Sequence, residues 1–411
     1  MRLFLIASLF LLSLSAFSAT TIKVEKNGPV PSVKQAILLA SDGDTILVSE
    51  GTYKEGAIVI NKSIVLKGVN YPVLDGESKY EIISILASDV TVDGFKIINS
   101  GTSGTEDFAA VKFSQVRNIV IRNNILDNNF FGIYAEASTN SRIEKNIITS
   151  DAESESNSGN GIHCWKSDSL LILDNTIKKH RDGIYFEFVS NSVIVRNISI
   201  GNIRYGLHFM FSNDDVYIQN YFKENGSGVA VMYSKRVNMI YNFFTQNWGD
   251  AAYGLLLKEI SDSNIQSNYF YTNTTAVVLE GSSRIYFSHN DFSDNGWGLR
   301  IQASCMDVEV IKNNFIANTF DVATNGSLVL NKFSQNYWHK YEGYDLNKDS
   351  YGDVPFRPLS LFSVIVENNP TATILYRSFI VSLLEKSEKI IPTLTPEAFI
   401  DDQPVLKPYK I

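Results

Sequence analysis

The chain has 411 residues, of which 44% are hydrophobic and 19% are charged, and its formal net charge is −8 at pH 7. This acidic balance argues against a nucleic-acid partner, which would require a clustered basic surface. Two cysteines, Cys164 and Cys305, are too few for a disulfide framework.

The first residues predict export. Met1 and Arg2 precede a nearly unbroken apolar run from Leu3 to Leu14, and small residues follow up to Ala19. A short basic start, an apolar core and small residues at its end are typical of a cleavable signal peptide. We therefore assign residues 1–19 to a signal peptide and expect an exported, soluble mature protein; the alternative is an uncleaved anchor.

Residues 20–71 are predicted to form an N-terminal cap and the first coils of a repeat. A helix is predicted to begin at Pro31 and Ser32 and to end at residues 42–44, which are Asp-Gly-Asp. Strand-like segments follow at 45–48, 57–60 and 64–66. The predicted apolar face of this helix consists of Val33, Ala36, Ile37, Leu38 and Ala40. A helix placed here would cover the open edge of the first coil, which could otherwise recruit other strands.

An asparagine recurs through residues 72–358, mostly at intervals of 22 or 23 residues. The ten positions are Asn123, Asn146, Asn175, Asn197, Asn220, Asn242, Asn268, Asn290, Asn313 and Asn336. A unit this short cannot bury its own apolar face, so the units must stack. Because the units are strand-like, we predict an all-β fold, a right-handed parallel β-helix, whose asparagines form an inward hydrogen-bonded ladder.

A marker glycine in most coils indicates which side chains face inward. Residues one and three places after it are apolar throughout, as with Leu207 and Phe209 after Gly206. Residues two and four places after it should face outward, and they form an unusually apolar set that includes His163, Trp165, Tyr185, His208, Met210 and Met232. Exposed apolar groups of this kind usually mark a binding surface.

This outward set has the composition of a copper site. His208 and Met210 share one strand face, and Met232 should lie beside Met210 on the next coil, about 4.8 Å away. Thioether and imidazole groups suit Cu(I). His163 is roughly 10 Å from His208, too far to share one ion, and Met239 and His180 would have to approach by bending. The candidate copper ligands are His208, Met210, Met232, His163 and Met239. The alternative is an apolar patch that a partner covers, with no metal.

The two insertions and the two cysteines allow less specific predictions. Insertions at 150–160 and 246–253 lengthen the same turn on either side of the His208 and Met232 coils, and would project as walls or lids. Cys164 and Cys305 should lie about 29 Å apart and remain free thiols, with Cys164 inward.

A loop near the end of the repeat has oxygen-bearing side chains at alternate positions. These are Asp345, Asn347, Asp349 and Asp353. The spacing is similar to the start of a calcium loop, although an Asx-rich turn is the alternative. Residues 359–391 then have mostly helical spacing and are followed by a proline-broken tail. Residues 359–411 are therefore expected to cap the last coil or to dock on another protein.

Several segments closely resemble the NosD family of periplasmic β-helical proteins, which mature nitrous oxide reductase. They include GNGIHCW (159–165), RYGLHFMFSN (204–213), GVAVMYS (228–234) and most of 336–385. The resemblance implies a periplasmic, non-enzymatic factor that receives Cu(I) and works with a copper chaperone and an ABC transporter. It further implies delivery to apo nitrous oxide reductase for its copper-sulfide centre, with residues 359–411 resting on the transporter's membrane subunit. Ser350 stands where family members have glycine, which weakens the calcium interpretation.

A second class of function uses the same architecture. Polysaccharide lyases, epimerases and hydrolases need paired carboxylates, or acid–base groups clustered with Arg or Lys. Glu187 and Glu280 face outward but lie four coils apart, roughly 19 Å, and cannot cooperate. A carbohydrate-binding protein is a third alternative and would favour exposed aromatic residues without the methionines.

Overall fold

The strands form three parallel sheets, here named sheets A, B and C. The computed structural model describes residues 19–411 except 103–105, 152, 327–329, 392–394 and 396–398, so the predicted signal peptide lies almost wholly outside the described residues. Along the chain the strands visit sheets A, B and C in turn, and each pairs with strands of the preceding and following coils. The predicted parallel β-helix is therefore confirmed.

In the described residues, sheet A has 14 strands, sheet B has 13 and sheet C has 12. The strands of sheet A are Thr21–Val24, Thr45–Val48, Val65–Gly68, Thr91–Asp93, Val120–Arg122, Arg142–Glu144, Leu171–Leu173, Val193–Val195, Val216–Ile218, Asn238–Ile240, Ser261–Gln266, Ser283–Ser288, Met306–Ile311 and Lys332–Ser334. The strands of sheet B are Thr52–Tyr53, Val73–Asp75, Lys96–Ile98, Ile125–Asp127, Ile147–Thr149, Thr176–Lys178, Ile198–Ile200, Tyr221–Lys223, Phe243–Thr245, Tyr269–Tyr271, Asp291–Ser293, Asn314–Ile316 and Tyr337–Trp338. The strands of sheet C are Ile58–Ile60, Ile83–Ile85, Ala109–Ser114, Phe131–Glu136, Ile162–Trp165, Asp182–Glu187, Tyr205–Met210, Ser227–Met232, Tyr253–Lys258, Thr275–Glu280, Trp297–Ile301 and Phe320–Ala323.

The core is a column of apolar side chains inside the three sheets. On sheet C the residues one and three places after the marker glycine are buried in every coil from Ile162 to Ile301, as the sequence predicts. On sheet B, aromatic rings stack from coil to coil, as Phe270 does on Phe292 with centroids 5.0 Å apart. Burial of each such phenylalanine stabilises the folded state by roughly 1.5–3 kcal/mol. The ring contacts join neighbouring coils only.

The predicted asparagine ladder is present, with one correction. The Oδ1 atom of Asn220 accepts a hydrogen bond from the backbone N–H of Asn197 at 3.0 Å, and the same contact repeats along the ladder. Its first member is Asn124, whose Nδ2 donates to Asn146. Asn123 instead lies on the surface with a φ of 53° and donates to Asp93. Both asparagines of this pair fit the sequence interval, and only the strand register separates them.

A second ladder was not predicted. It consists of His180, Asn202, Asn225, Asn247, Asn273, Asn295 and Asn318, each backbone N–H donating to the next asparagine Oδ1. Its asparagines follow those of the first ladder by five residues, from Asn197 and Asn202 onward, a signal that would have revealed it. His180 takes the place of an asparagine at its N-terminal end.

A short helix covers the N-terminal end of the solenoid, as predicted. Helix α1 (Val33–Leu39) begins at Ser32, whose hydroxyl accepts a hydrogen bond from the backbone N–H of Gln35. Val33, Ala36 and Ile37 are buried against the first strands. Leu38 was predicted on the buried face, but it is 79% exposed. The helix is only two turns long, and its Leu38 position points away from the first coil.

The C-terminal segment has two parts with different positions. Helices α2 (Leu361–Asn368) and α3 (Phe379–Ile390), with a 3-10 turn at Pro370–Leu375, pack against Phe320 near the last strands of sheet C. The tail around Asp401 instead extends the solenoid, since Asp401 bridges Phe333 in parallel. In the part of the chain that the structure describes, no helix has the length and apolarity to cross a membrane.

Candidate functional site

The outer face of sheet C carries four of the five candidate copper ligands. Alternate residues on its strands leave the core and form two columns. The first column contains Tyr134, His163, Tyr185, His208, Ala230 and Leu256, and the second contains Glu136, Trp165, Glu187, Met210, Met232 and Lys258. His163, His208, Met210 and Met232 therefore face outward, in the phase that the marker glycines predict.

The thioethers of Met210 and Met232 occupy equivalent positions on adjacent coils. The two residues are register partners on strands Tyr205–Met210 and Ser227–Met232, and both are half-buried. The hydroxyl of Tyr185 donates to the sulfur of Met210 at 3.7 Å and to Glu187 at 3.3 Å. The strand that carries Met210 also carries His208 two residues earlier, so the three predicted ligands share one small area of the face.

His208 is almost completely covered although it lies outside the core. Its side chain is 8% exposed, and its ring packs against the rings of Tyr185 and Tyr205, with centroids 5.1 and 4.7 Å away. Its Nε2 atom is buried and has no hydrogen-bond partner. A buried polar atom without a partner carries a free-energy cost of about 1–3 kcal/mol, and a ligand at Nε2 would remove that cost.

An ion pair with a buried carboxylate lies beside the other nitrogen of His208. Asp182 is fully buried, and its carboxylate accepts hydrogen bonds from Nε and Nη2 of Arg204. The Nδ1 atom of His208 lies 3.3 Å from Arg204 Nη2 and 3.7 Å from Asp182 Oδ2. Burial alone would raise the pKa of the Asp182 carboxyl, but its contacts with His208 and Arg204 outweigh burial and lower that pKa. Sequence reasoning missed both charged residues.

His163 lies two coils from His208, and its nitrogen Nδ1 is already engaged. Tyr185 separates the two imidazoles, with centroids 4.7 Å from His163 and 5.1 Å from His208. Arg181 donates to the Oδ1 of Asn160, so the Asn160 amide nitrogen faces His163 Nδ1, at 2.9 Å. The Nδ1 atom therefore accepts, and the neutral ring carries its proton on Nε2. Burial, followed by the charge of Arg181, lowers the pKa of His163 to about 3.

Met239 and His180 lie elsewhere. Met239 belongs to sheet A, is 1% exposed and packs in the central core between Tyr217 and Ile265. His180 occupies the second ladder and is fully buried. A strand in sheet A cannot bring an inward side chain to the outer face of sheet C by bending, because the core lies between. Met239 is thus separated from His208, Met210 and Met232.

Both insertions contact the candidate site through their last residues. Asn160 ends the first insertion and bonds to His163. Tyr253 ends the second, and its hydroxyl donates to that of Tyr205 at 3.4 Å across two coils. Because the Tyr205 ring packs on His208, this hydrogen bond from the second insertion helps to hold Tyr205 against the imidazole.

An exposed aromatic edge borders the thioethers and was also missed. Phe188, Phe211 and Tyr233 directly follow Glu187, Met210 and Met232 along the chain. Their rings stack with centroids 5.2 and 5.1 Å apart and are 47%, 39% and 43% exposed. The equivalent turn positions in neighbouring coils hold Lys166 and Glu259, so the aromatic edge is confined to the coils of the candidate site. Aromatic residues at three successive turns were the signal in the sequence.

The loop predicted to resemble a calcium site is closed by its own backbone donors. Oxygens of Asp345 accept from the N–H groups of Asp349 and Ser350, and Asp349 accepts from Tyr351. Asn347 and Asp353 also accept backbone N–H groups. These are the contacts of an Asx-rich turn. Calcium binding here stays a prediction.

The cysteines and the outward glutamates also bear on the chemistry that this protein could carry out. Cys164 and Cys305 are buried free thiols, as predicted, and burial raises the pKa of both thiols. Glu187 and Glu280 lie on strands four coils apart. Among the described residues, no three His, Cys, Asp or Glu side chains come together in a way that could hold a metal ion.

Two family models match the chain. The NosD model, described as periplasmic copper-binding protein, matches residues 145–351, which is half of the chain and includes all five candidate copper ligands. A model described as rhamnogalacturonase A/epimerase, pectate lyase-like, matches residues 34–230.

One curated relative supports the first match. The protein named "Probable ABC transporter binding protein NosD" from Pseudomonas aeruginosa is 30% identical over 148 residues, which are 35% of this chain and 34% of that protein. The match thus spans about a third of the relative's length.

Solved structures with the same fold come from proteins of varied activity. A GH87 alpha-1,3-glucanase from Streptomyces thermodiastaticus aligns with a TM-score of 0.59 at 11% identity, covering 77% of this chain and 68% of that one. PfbA, a surface adhesin of Streptococcus pneumoniae, aligns at 0.57 and 14% identity, covering 78% and 93%. The mannuronan C-5 epimerase AlgE4 A-module of Azotobacter vinelandii aligns at 0.50 and 17% identity, covering 73% and 88%. Identities this low show the fold alone.

The NosD model matches half of the chain, and a NosD relative is 30% identical to part of it. The chain therefore belongs to the NosD family of periplasmic copper-binding proteins.

Proposed function

We propose that the outer face of sheet C around His208, Met210 and Met232 binds Cu(I) transiently. The protein is then a non-enzymatic maturation factor that accepts Cu(I) from a copper chaperone. It helps an ABC transporter deliver the ion to apo nitrous oxide reductase, for assembly of the copper-sulfide centre.

The observation that carries this proposal is the grouping of soft donors on one outer face. Met210 and Met232 are register partners, and His208 lies on the strand of Met210 with a buried Nε2 that has no partner. Thioether and imidazole groups are ligands that Cu(I) accepts and that hydrated Mg²⁺ or Ca²⁺ does not favour. The donor set therefore fits a cuprous ion.

The same donor set suits transfer rather than storage. The thioethers are half-buried, so a partner's ligands can reach them, and neither buried cysteine lies on this face. Exchange of thioether ligands needs no proton release from a thiol. The bound ion could thus pass to a partner without redox chemistry.

Residues 359–411 supply the proposed contact with the transporter's membrane subunit, through helix α3. Phe379, Ile380 and Leu383 on this helix are 80%, 67% and 53% exposed. The guanidinium of Arg300 anchors the neighbouring helix α2 through Glu367 at 2.7 Å. Arg300 and His208 occupy the same outward column four coils apart, roughly 19 Å at the usual strand spacing. Helix α2, which packs against α3, is therefore anchored roughly 19 Å from His208 along the same outer face.

A Cu(I) titration under anaerobic, reducing conditions with a competing chelator tests the proposal. We expect the double variant Met210→Ala/Met232→Ala to lose at least about tenfold in Cu(I) affinity, with X-ray absorption showing sulfur ligands in the unsubstituted protein. Met306→Ala is the matched control, since Met306 is 52% exposed on sheet A. Equal affinity in the double variant and the control would refute the site.

A polysaccharide-active enzyme is the second candidate. One observation favours it, because Asp182, Arg204 and His208 form a cluster of acid–base groups and a cation. Against it, the Asp182 carboxylate is fully buried and already bound by Arg204. Turnover of alginate or polygalacturonate that His208→Ala abolishes would favour this candidate over copper transfer.

A further inference from the structure

The aspartate of the Asp182–Arg204 pair is more deeply buried than any other aspartate that pairs with an arginine in the described chain. Aspartate and arginine residues 22 positions apart also join adjacent coils at Asp174/Arg196, Asp214/Arg236 and Asp262/Arg284. The side chains of those three aspartates are 29%, 37% and 42% exposed, whereas that of Asp182 is 0% exposed. A further pair, Asp93 with Arg122, joins adjacent coils 29 residues apart, and its aspartate side chain is 11% exposed. The other aspartate–arginine pairs thus keep their carboxylates in contact with water, and only that of Asp182 is fully covered among the described pairs.

Burial of the Asp182 carboxylate needs a physical reason, because removing a charge from water costs several kcal/mol, and its partner Arg204 is still 30% exposed. A surface pair links adjacent coils without that cost, so coil stacking does not explain the burial of Asp182. The feature specific to this coil is His208, whose Nδ1 faces both members of the pair at 3.3 and 3.7 Å. Nδ1 thus faces a donor, Arg204 Nη2, and an acceptor, Asp182 Oδ2.

We propose that Asp182 and Arg204 are positioning residues that present Nε2 of His208 as a copper ligand. This inference rests on the proposed function. When Nε2 is a ligand, Nδ1 carries the ring proton and directs it at the Asp182 carboxylate, whose Oδ2 lies 3.7 Å away in this structure, while Arg204 holds that carboxylate in place. A carboxylate behind a ligating histidine fixes the tautomer and makes the ligand more basic. The proton stays on the ring, so the imidazole remains neutral.

The first test compares Asp182→Asn with Asp214→Asn. Both variants replace an aspartate of an Asp–Arg pair by an amide of the same size, but Asp214 lies on the surface, paired with Arg236. We expect Asp182→Asn to weaken Cu(I) binding by about 10- to 100-fold and Asp214→Asn to leave it unchanged. X-ray absorption of loaded Asp182→Asn should show fewer nitrogen ligands and the same sulfur ligands.

A double-mutant cycle separates positioning from a general structural effect. If Asp182 acts through His208, Asp182→Asn should weaken binding no further in a His208→Ala background. Additive losses would show that Asp182 acts independently of the imidazole and would overturn the inference. Arg204→Lys, which keeps the charge but loses the two-point contact, should give an intermediate loss.

The tautomer of His208 gives a readout that needs no variant. In the copper-loaded protein, nitrogen-15 chemical shifts of the ring should place the proton on Nδ1, because Cu(I) is diamagnetic and Nε2 is the proposed ligand. A proton on Nε2 in the loaded protein would overturn the inference even if Asp182→Asn fails to fold. If the unsubstituted protein binds no Cu(I), the proposed function fails. If it binds Cu(I) and His208→Ala weakens binding but Asp182→Asn does not, only the positioning role fails.

Discussion

The side-chain amide of Asn336 donates a hydrogen bond to the carboxylate of Asp401 at 3.0 Å, and this contact ends the first asparagine ladder. Asp401 takes the position that an asparagine of the next coil would occupy. It also accepts the backbone N–H groups of Gln335 and Asn336 and the indole N–H of Trp338. The C-terminal tail thereby supplies an acceptor to N–H groups of the last coil that have no following coil to bind.

Asp401→Ala should therefore destabilise the C-terminal coil. The substitution leaves several buried donors without an acceptor, and each costs about 1–3 kcal/mol. Because each coil of a solenoid contacts only its neighbours, the rate of amide hydrogen exchange should rise mainly in residues 332–345 and little near residue 150. Asp402→Ala, at an exposed position, is the control. Unchanged exchange in the last coil of Asp401→Ala would contradict the assigned role.

His180→Asn should stabilise the protein, and more so at pH 5 than at pH 7. Both ring nitrogens of His180 are buried without a partner, and burial lowers its pKa to about 4. The unfolded chain binds a proton below its ordinary pKa near 6.5, whereas the folded protein does not until about pH 4, so the histidine costs stability as pH falls through that window. Thermal unfolding at the two pH values measures the effect.

The matched control for this prediction is His339→Asn, at an exposed histidine. An asparagine at position 180 can also extend the second ladder toward Asn202. A His180→Asn variant less stable than the unsubstituted protein at both pH values would mean that filling the space matters more than pairing and charge.

Asp215→Asn should raise stability at pH 8 and have a smaller effect at pH 5. Asp215 is fully buried, its Oδ2 has no partner, and burial raises its pKa to about 8. The folded protein keeps the proton up to that pH, while the unfolded chain releases it near 3.8, so stability falls as pH rises between the two values. Asparagine keeps the acceptor for the Ser192 N–H and cannot ionise.

Melting temperatures of Asp215→Asn and of the unsubstituted protein, recorded from pH 5 to pH 8, measure this change. We expect the difference between the two proteins to grow by several degrees across the range. The half-buried Asp214 next to it serves as the comparison, as Asp214→Asn. A constant difference would show that Asp215 keeps an ordinary proton affinity in the folded protein.

Phe379→Ser/Ile380→Ser should weaken binding to the transporter's membrane subunit without unfolding the protein. Both side chains are largely exposed on helix α3, so their loss leaves no cavity. Loss of an apolar anchor at the centre of an interface costs more than about 1 kcal/mol, so loss of both should weaken binding by roughly thirtyfold or more. Binding to the detergent-solubilised transporter measures the effect, with Leu346→Ser, 77% exposed on a different loop, as control. Equal binding by both variants would exclude α3 as the contact.

Much of the fold could be predicted because a short repeat has few solutions. The spacing of asparagines and marker glycines predicts the coil length, and the two-residue period of a strand then separates the inward Leu207 and Phe209 from the outward His208 and Met210. Those assignments agree with the structure. Errors arose where the period alone did not decide, as between Asn123 and Asn124, or where a residue lay in another sheet, as with Met239.

The amino-acid sequence by itself determined the architecture and the outward phase of the candidate ligands, because local strand periodicity and repeat length are both encoded along the chain. The tertiary structure alone decided what surrounds them. It brings Asp182 and Arg204 beneath His208, links Tyr253 to Tyr205 across two coils, and returns Asp401 to the ladder. Such contacts depend on register between coils and on where a tail of the chain packs, and neither is specified by spacing along the sequence.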